Sequence, residues 1–241
     1  MTGTRQLRAA VTGLLSFAAA EEQMLLAEAA WDGRDEGGGP DRWAAAPLVA
    51  HDNHFKNQQA ERIRAIQSGQ VPPASGEIDH SSAEVYRDYR AQQPEDVLAE
   101  CRRVSAELID GTWALPDQDL LDPARYPWLN GRLFWLQIVV RGFWHPTGHL
   151  GAYYLGHDQP ERAIALQEQG VATARYLGAP AAAAGMAGYS LACVQARSGQ
   201  PDQAVSTLAA AVEANPDLRV NVSTDPDLAA LRAAGRLEAF R

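Results

Sequence analysis

With 241 residues, an apolar share of 46% and a formal charge of −9, the chain can build one large or two small globular domains around a substantial core. The acidic balance argues against nucleic acid or an anionic membrane as the main partner. Alanine dominates the apolar share and β-branched residues are sparse, which predicts an all-α fold. No stretch is apolar for long enough to span a membrane. The opening residues, Met1 to Arg8, lead into a charged, alanine-rich segment unlike a signal peptide, so the cytoplasm is the expected location. Cys101 and Cys193 stand far apart, outside any metal-ribbon spacing, and read as buried reduced thiols.

Residues 4–31 read as one amphipathic helix, with Leu7, Val11, Leu14, Ala18, Leu25 and Ala29 at helical spacing. Glu21 and Glu22 are assigned to its solvated face; one carboxylate turned inward is the alternative. Three glycines break the helix in a loop over 32–40. Pro40 follows them where a phosphate-cradling loop needs lysine and a hydroxyl residue, so this is no P-loop. A second helix is expected from Trp43 or Pro47 to Gln67, capped by Asp41. Leu48, His51, Phe55, Arg62 and Ile66 fall near one stripe of it, and Pro72 and Pro73 follow its end.

Ser81 with Glu84 forms a capping box for a third helix reaching about Ile109, which Pro94 can divide. A proline-rich loop over 113–130 is long enough to line a functional site. The fourth helix starts near Gly131 and passes Leu133, Leu136, Val140 and Trp144 toward Tyr154. Pro146 inside it implies either a kink beside His145 or a helix end. After Gly156 tryptophan vanishes and the helices shorten, to 159–177, 180–197 and 201–214, at a period near that of helical repeats. The expected domains are 1–156 and 157–241.

His145 and His149 lie four apart, which puts two imidazoles on one helix face. His51, from a facing helix, completes a three-nitrogen set with an open position, as catalytic zinc and related metals use. Zinc or nickel suits neutral imidazoles best, and iron or manganese is compatible. The competing reading is a polar pocket of hydrogen-bonded histidines without metal. His54, Trp128, Arg141, Trp144 and Tyr153 are the candidates for a substrate pocket. The aromatic ones would supply an apolar wall, and core packing is their plainer role. Arg141, like Arg132, could hold an acidic substrate group or the carboxylate of a low-molecular-weight thiol; a surface salt bridge is the plainer fate. His54 is placed at an exposed or outer position, and His80 and His157 in loops. No nucleophile elbow or dinucleotide fingerprint occurs, so the sequence singles out no catalytic residue.

The segments Ala187 to Cys193, Gly199 to Ala204 and Ala211 to Pro216, with Asp225-Pro226-Asp227-Leu228 after them, resemble a tetratricopeptide repeat unit. Small residues at Ala187, Gly188 and Ala192 would let paired helices approach closely. The resemblance implies a groove for a partner helix or peptide. Trp43 through Leu48 leading to His51, Val85 to Tyr89, Trp128 to Arg132, and the His145/His149 pair resemble the DinB superfamily of four-helix bundles, and within it the colibactin self-resistance branch. This second resemblance implies a metal triad onto which His51, His145 and His149 map residue by residue. It further implies metal-dependent thiol transfer, isomerisation or hydrolysis of small molecules, with self-protection against a reactive natural product as one setting. The chain departs from that branch, where the triad can be lost, by keeping all three histidines. It departs from the wider superfamily by Pro146 and by the appended repeat unit.

Two function classes follow. One is a metal-dependent enzyme acting on a small electrophilic molecule by hydrolysis or thiol addition. The other is a non-catalytic adaptor that binds a protein partner or ligand through the repeat segment. Homodimerisation is compatible with both.

Overall fold

The structure is a computed structural model that describes residues 3–29, 39–73 and 82–240, and every regular element among them is helical. The expected glycine loop over 32–38, His80 and the Ser81 cap lie outside the described residues. The chain divides into two compact units, residues 1–146 and 147–241.

In the first unit, α1 (Gly3–Ala29) buries Ala10, Val11, Leu14, Leu15, Ala18, Leu25 and Leu26 along one face. A 3-10 turn, Pro40–Arg42, leads into α2 (Ala45–Gln67). Asp41 does not cap that helix. It sits inside the 3-10 turn, and the capping position is Ala44, whose side chain makes no hydrogen bond. Burial starts the helix instead: Trp43, Ala44, Ala45 and Ala46 are all at most 2% exposed. Pro94 does divide the third expected helix, into α3 (Ser82–Tyr89) and α4 (Pro94–Ala114). Proline fits the first helical position and forces an extended residue before it, here Gln93. Helices α1 and α2 both pack on α4, and α3 packs on α2.

Trp113 belongs to α4, so the expected loop starts later and holds a short helix, α5 (Asp117–Leu121), and a 3-10 turn, Pro127–Leu129. Left-handed backbone at Asn130 (φ 52°) and Gly131 (φ 81°) then reverses the chain. Helix α6 (Phe134–Val139) begins three residues after the expected start, which leaves Arg132 exposed ahead of it.

The helix does not end at Pro146. A π-helical turn, Val140–Trp144, connects α6 to α7 (His145–Gly156), and the His145 N–H donates to the carbonyl of Val140, five residues back. A proline ring crowds the carbonyl four residues before it. The wider π-turn ahead of Pro146 relieves that crowding while the helix continues. Gly142 lies in this turn against α1, where an added Cβ would overlap Leu15 Cδ2.

The second unit begins within α7, ahead of the change in composition at Gly156. Helices α8 (Pro160–Tyr176), α9 (Ala181–Arg197) and α10 (Pro201–Ala214) follow, each packed on the next. Prolines open α8 and α10, and left-handed Gly178 (φ 61°) and Gly199 (φ 74°) close α8 and α9. Small residues do bring α9 against α10: an added Cβ on Gly185 would sit 2.6 Å from that of Asn215, and one on Gly188 would sit 3.2 Å from that of Ala211. Short helices α11 (Arg219–Val222) and α12 (Ala229–Ala233) complete the unit. No helix among the described residues is long and apolar enough to cross a membrane.

Candidate metal centre

Helix α2 is polar in sequence yet buried nearly all round. His51, Asp52, Asn53, Lys56, Gln58, Gln59 and Arg62 are all at most 5% exposed. Polar groups survive in such a place only with partners, because each lost hydrogen bond to water must be replaced. The Asn53 side chain donates to the carbonyl of Val97 at 3.0 Å. Arg62 donates to the carbonyl of Pro73 at 3.0 Å and to Gln59 Oε1 at 3.3 Å.

One group of these side chains has the chemistry of a ligand set. His51, Asp52 and His145 each offer one donor atom, and these atoms lie within 4.8 Å of one another. His51 is fully buried; the rings of Trp43 and Phe55 meet it edgewise, both at 4.9 Å between centroids. The His145 ring lies stacked 5.4 Å from it. Two successive turns of α7 carry His145 and His149, so the helix itself sets their spacing.

His145 Nε2 stands 3.6 Å from Asp52 Oδ1. That is too long for a hydrogen bond. It is close to the separation of two donors facing one ion at about 2.0–2.2 Å each. Imidazole nitrogens with one carboxylate oxygen suit a borderline divalent cation. The cluster can therefore hold a metal ion. Asp52 is the member that sequence reasoning missed. It adjoins His51 and lies four residues before Lys56, but a polar helix reads as solvent-facing, so nothing in the local sequence marks it as buried.

Beside the cluster lies a buried charge pair, also unforeseen. Lys56 Nζ meets Glu22 Oε1 at 2.8 Å and Oε2 at 2.7 Å, and both side chains are at most 2% exposed. Glu22 is thus the inward carboxylate, contrary to its assignment to a solvated face. A helical-face count assigns charges to solvent and cannot foresee a partner on another helix. Burial alone would lower the Lys56 pKa, but the charges of Glu22, Cys101 and Asp52 outweigh it and hold the ammonium above its ordinary value. Burial pushes the Glu22 carboxyl up, and Lys56 pulls it back. Cys101 Sγ completes the group, 3.7 Å from both Lys56 Nζ and Glu22 Oε2. Burial, then the Glu22 charge, push its thiol up to about 12.

The pocket candidates separate. Arg141 lies with the cluster: its guanidinium sits 4.7 Å over the centre of the Phe55 ring, whose edge contacts also include His145 at 5.0 Å. Trp144 is half-buried at the end of the π-turn. Trp128 covers the Arg62 guanidinium at 5.4 Å and packs on Tyr126 and Phe134. His54 is half-buried, meets the Gln58 side chain at 2.9 Å, and lines a small polar cleft of about 250 Å³ with Asn57, Asp96 and Glu100. Tyr153 is buried in the second unit, stacked on His157 at 3.8 Å.

No protein family, curated protein or solved structure matches this chain in sequence or fold comparison.

Proposed function

We propose that the first unit is a DinB-like four-helix bundle in which His51, Asp52, His145 and His149 bind one divalent metal ion, with zinc or nickel the best-suited ions. The protein is then a metal-dependent enzyme on a small electrophilic molecule, acting by hydrolysis or by addition of a low-molecular-weight thiol. The observation that carries this reading is the convergence of the metal-competent donor atoms of His51, Asp52 and His145 within 4.8 Å. A divalent ion at such a place lowers the pKa of a bound water or thiol enough to make it a nucleophile near neutral pH. The chain's own groups do the rest. Trp43 and Phe55 fix the His51 ring and keep water from it. Asp52 adds the negative charge that neutral imidazoles lack, and the Glu22–Lys56 pair lines the interior beside it.

Metal analysis of the purified protein tests the binding step. About one ion per chain, lost in His145→Ala, supports it; a folded protein that takes up no divalent ion overturns it. Turnover of a model epoxide or activated ester, with and without added thiol, tests the reaction: the metal-loaded protein should accelerate it and the chelated protein should not.

One observation favours a second reading, a binding module. A cleft of about 620 Å³ runs along α8, α9 and α10, lined by Val171, Ala174, Arg175, Leu191, Thr207 and Ala210 among others. It would receive a partner peptide, and removing metal would leave that binding unchanged.

A further inference from the structure

We infer that the cleft between α2 and the start of α4 binds a small organic cation, a primary alkylammonium, at a site separate from the metal cluster. The inference does not depend on the metal reading.

The cleft has a volume of about 250 Å³. Asn53, His54 and Asn57 of α2 line it, with Gln92 and with Asp96 and Glu100 of α4. Asn53 is the informative member. It is 3% exposed, and its Nδ2 donates to the carbonyl of Val97 at 3.0 Å. That bond leaves Oδ1 as the end of the amide offered to the cleft, and Oδ1 is buried without a hydrogen-bond partner. An acceptor buried in this way is costly, so a donor belongs beside it.

The surroundings set the charge of that donor. Arg103, which does not line the cleft, donates to Asn57 Oδ1 at 3.1 Å and to the two Glu100 oxygens at 2.6 and 2.9 Å. It holds both acceptors in place and offsets the Glu100 charge. Asp96 is exposed, and no cation among the described residues pairs with it, so a negative charge is left over. An anion is unsuited here. The start of α4 offers it little, because Pro94 has no N–H and the N–H groups of Asp96 and Val97 both donate to the Gln93 carbonyl. A single metal ion is unsuited as well, since His54, Asp96 and Glu100 are not among the groups whose donor atoms lie within 4.8 Å of one another. Acceptors spread around a cleft suit a cation with several N–H groups, and an ammonium has three and no acceptor. At about 250 Å³ the cleft is smaller than the ~300 Å³ at which drug-sized pockets begin, which fits an amine of a few carbons. Ala50 is the one apolar residue of the lining and would meet its chain.

The test uses the full chain, isotopically labelled for magnetic resonance, at neutral pH with a chelator present. It is titrated with n-butylamine, which is then protonated, and with n-butanol, which has the same chain without the charge. The side-chain amide signals of Asn53, Asn57 and Gln92 should shift with the amine, at an affinity about tenfold above that of the alcohol, the scale of one charge-assisted contact. Asp96→Asn, an exposed change that leaves the core intact, should abolish that preference. Glu95→Gln, on the same helical turn but outside the cleft, should keep it. Equal affinity for amine and alcohol overturns the inference. So does a preference that survives in Asp96→Asn, or one that Glu95→Gln removes to the same extent. Amine binding that appears only when zinc replaces the chelator would place the amine at the histidines, which overturns the inference and leaves the metal site standing.

Discussion

Lys56 on α2 reaches across to Glu22 on α1 and meets both of its carboxylate oxygens, at 2.7 and 2.8 Å, in a place closed to solvent. Removing one partner of such a pair leaves an uncompensated buried charge. Lys56→Met should therefore cost about 3–5 kcal/mol of stability. Adding Glu22→Gln to it should recover much of that loss, because the stranded charge is gone. Urea titrations of the two variants measure this, and a double variant no more stable than Lys56→Met would contradict the pairing.

The Cys101 thiol is pushed up to about 12 from an ordinary 9.0, by burial first and by the Glu22 charge second. A raised pKa means that the folded chain holds the proton more tightly than the unfolded one. Its contribution is complete below about pH 9 and is lost as the pH climbs toward 12. Cys193, Tyr126 and Tyr189 are shifted in the same direction, all chiefly by burial, so they add to the same alkaline decline. Urea midpoints should fall between pH 9 and 11, and less steeply in Cys101→Ala. Ellman's reagent should leave both thiols untouched in the native protein and titrate both after denaturation.

Asp52 makes the donor set different from three imidazoles alone. Asp52→Asn keeps the shape and removes the charge, and should weaken divalent binding by about 10–100-fold. His54→Ala, whose ring lies toward a separate cleft, should leave that affinity unchanged. Competition against a chromophoric chelator reads both. A loss in His54→Ala comparable to that in Asp52→Asn would mean that His54 had been placed wrongly.

Gly142 has no room for a side chain. Its Cβ would overlap Leu15 and approach Leu108 to 3.4 Å, both in the core. Gly142→Ala should cost about 1–3 kcal/mol by overpacking. Trimming the obstacle with Leu15→Ala should make the pair of changes less than additive, which thermal melts of the three variants would show.

Local signals in the sequence carried most of the helical layout. Pro94 marked its own helix start because it removes an N–H and biases Gln93. In the second unit, prolines at the starts of α8, α9 and α10, glycines after α8 and α9, and Asn215-Pro216 after α10 left little freedom. The interior of the first unit was harder to read. Periodicity assigns charged residues to solvent, so Glu22, Lys56 and Asp52 had no reason to appear inside until their partners on other helices were known. As an aromatic residue close in sequence to the last bundle helix, Trp128 reads as a pocket wall. Its ring lies over Arg62 instead, in the 3-10 turn Pro127–Leu129.

The π-turn at Val140–Trp144 amounts to one residue more than an α-helix would need over that stretch. Each residue of an α-helix advances the chain by about 100°. The apolar rhythm before the turn and the spacing of His145 and His149 after it therefore run on two different clocks. Because the turn absorbs that extra residue, deleting one residue from 140–144 would restore a plain α-helix and leave His145 on its present face. A deletion in the α-helical part before the turn would instead swing it by about 100°. The same offset bears on reading related chains. An alignment through this helix without a single-residue gap would match one of its halves and misplace the other, and the histidines would be the residues to slip.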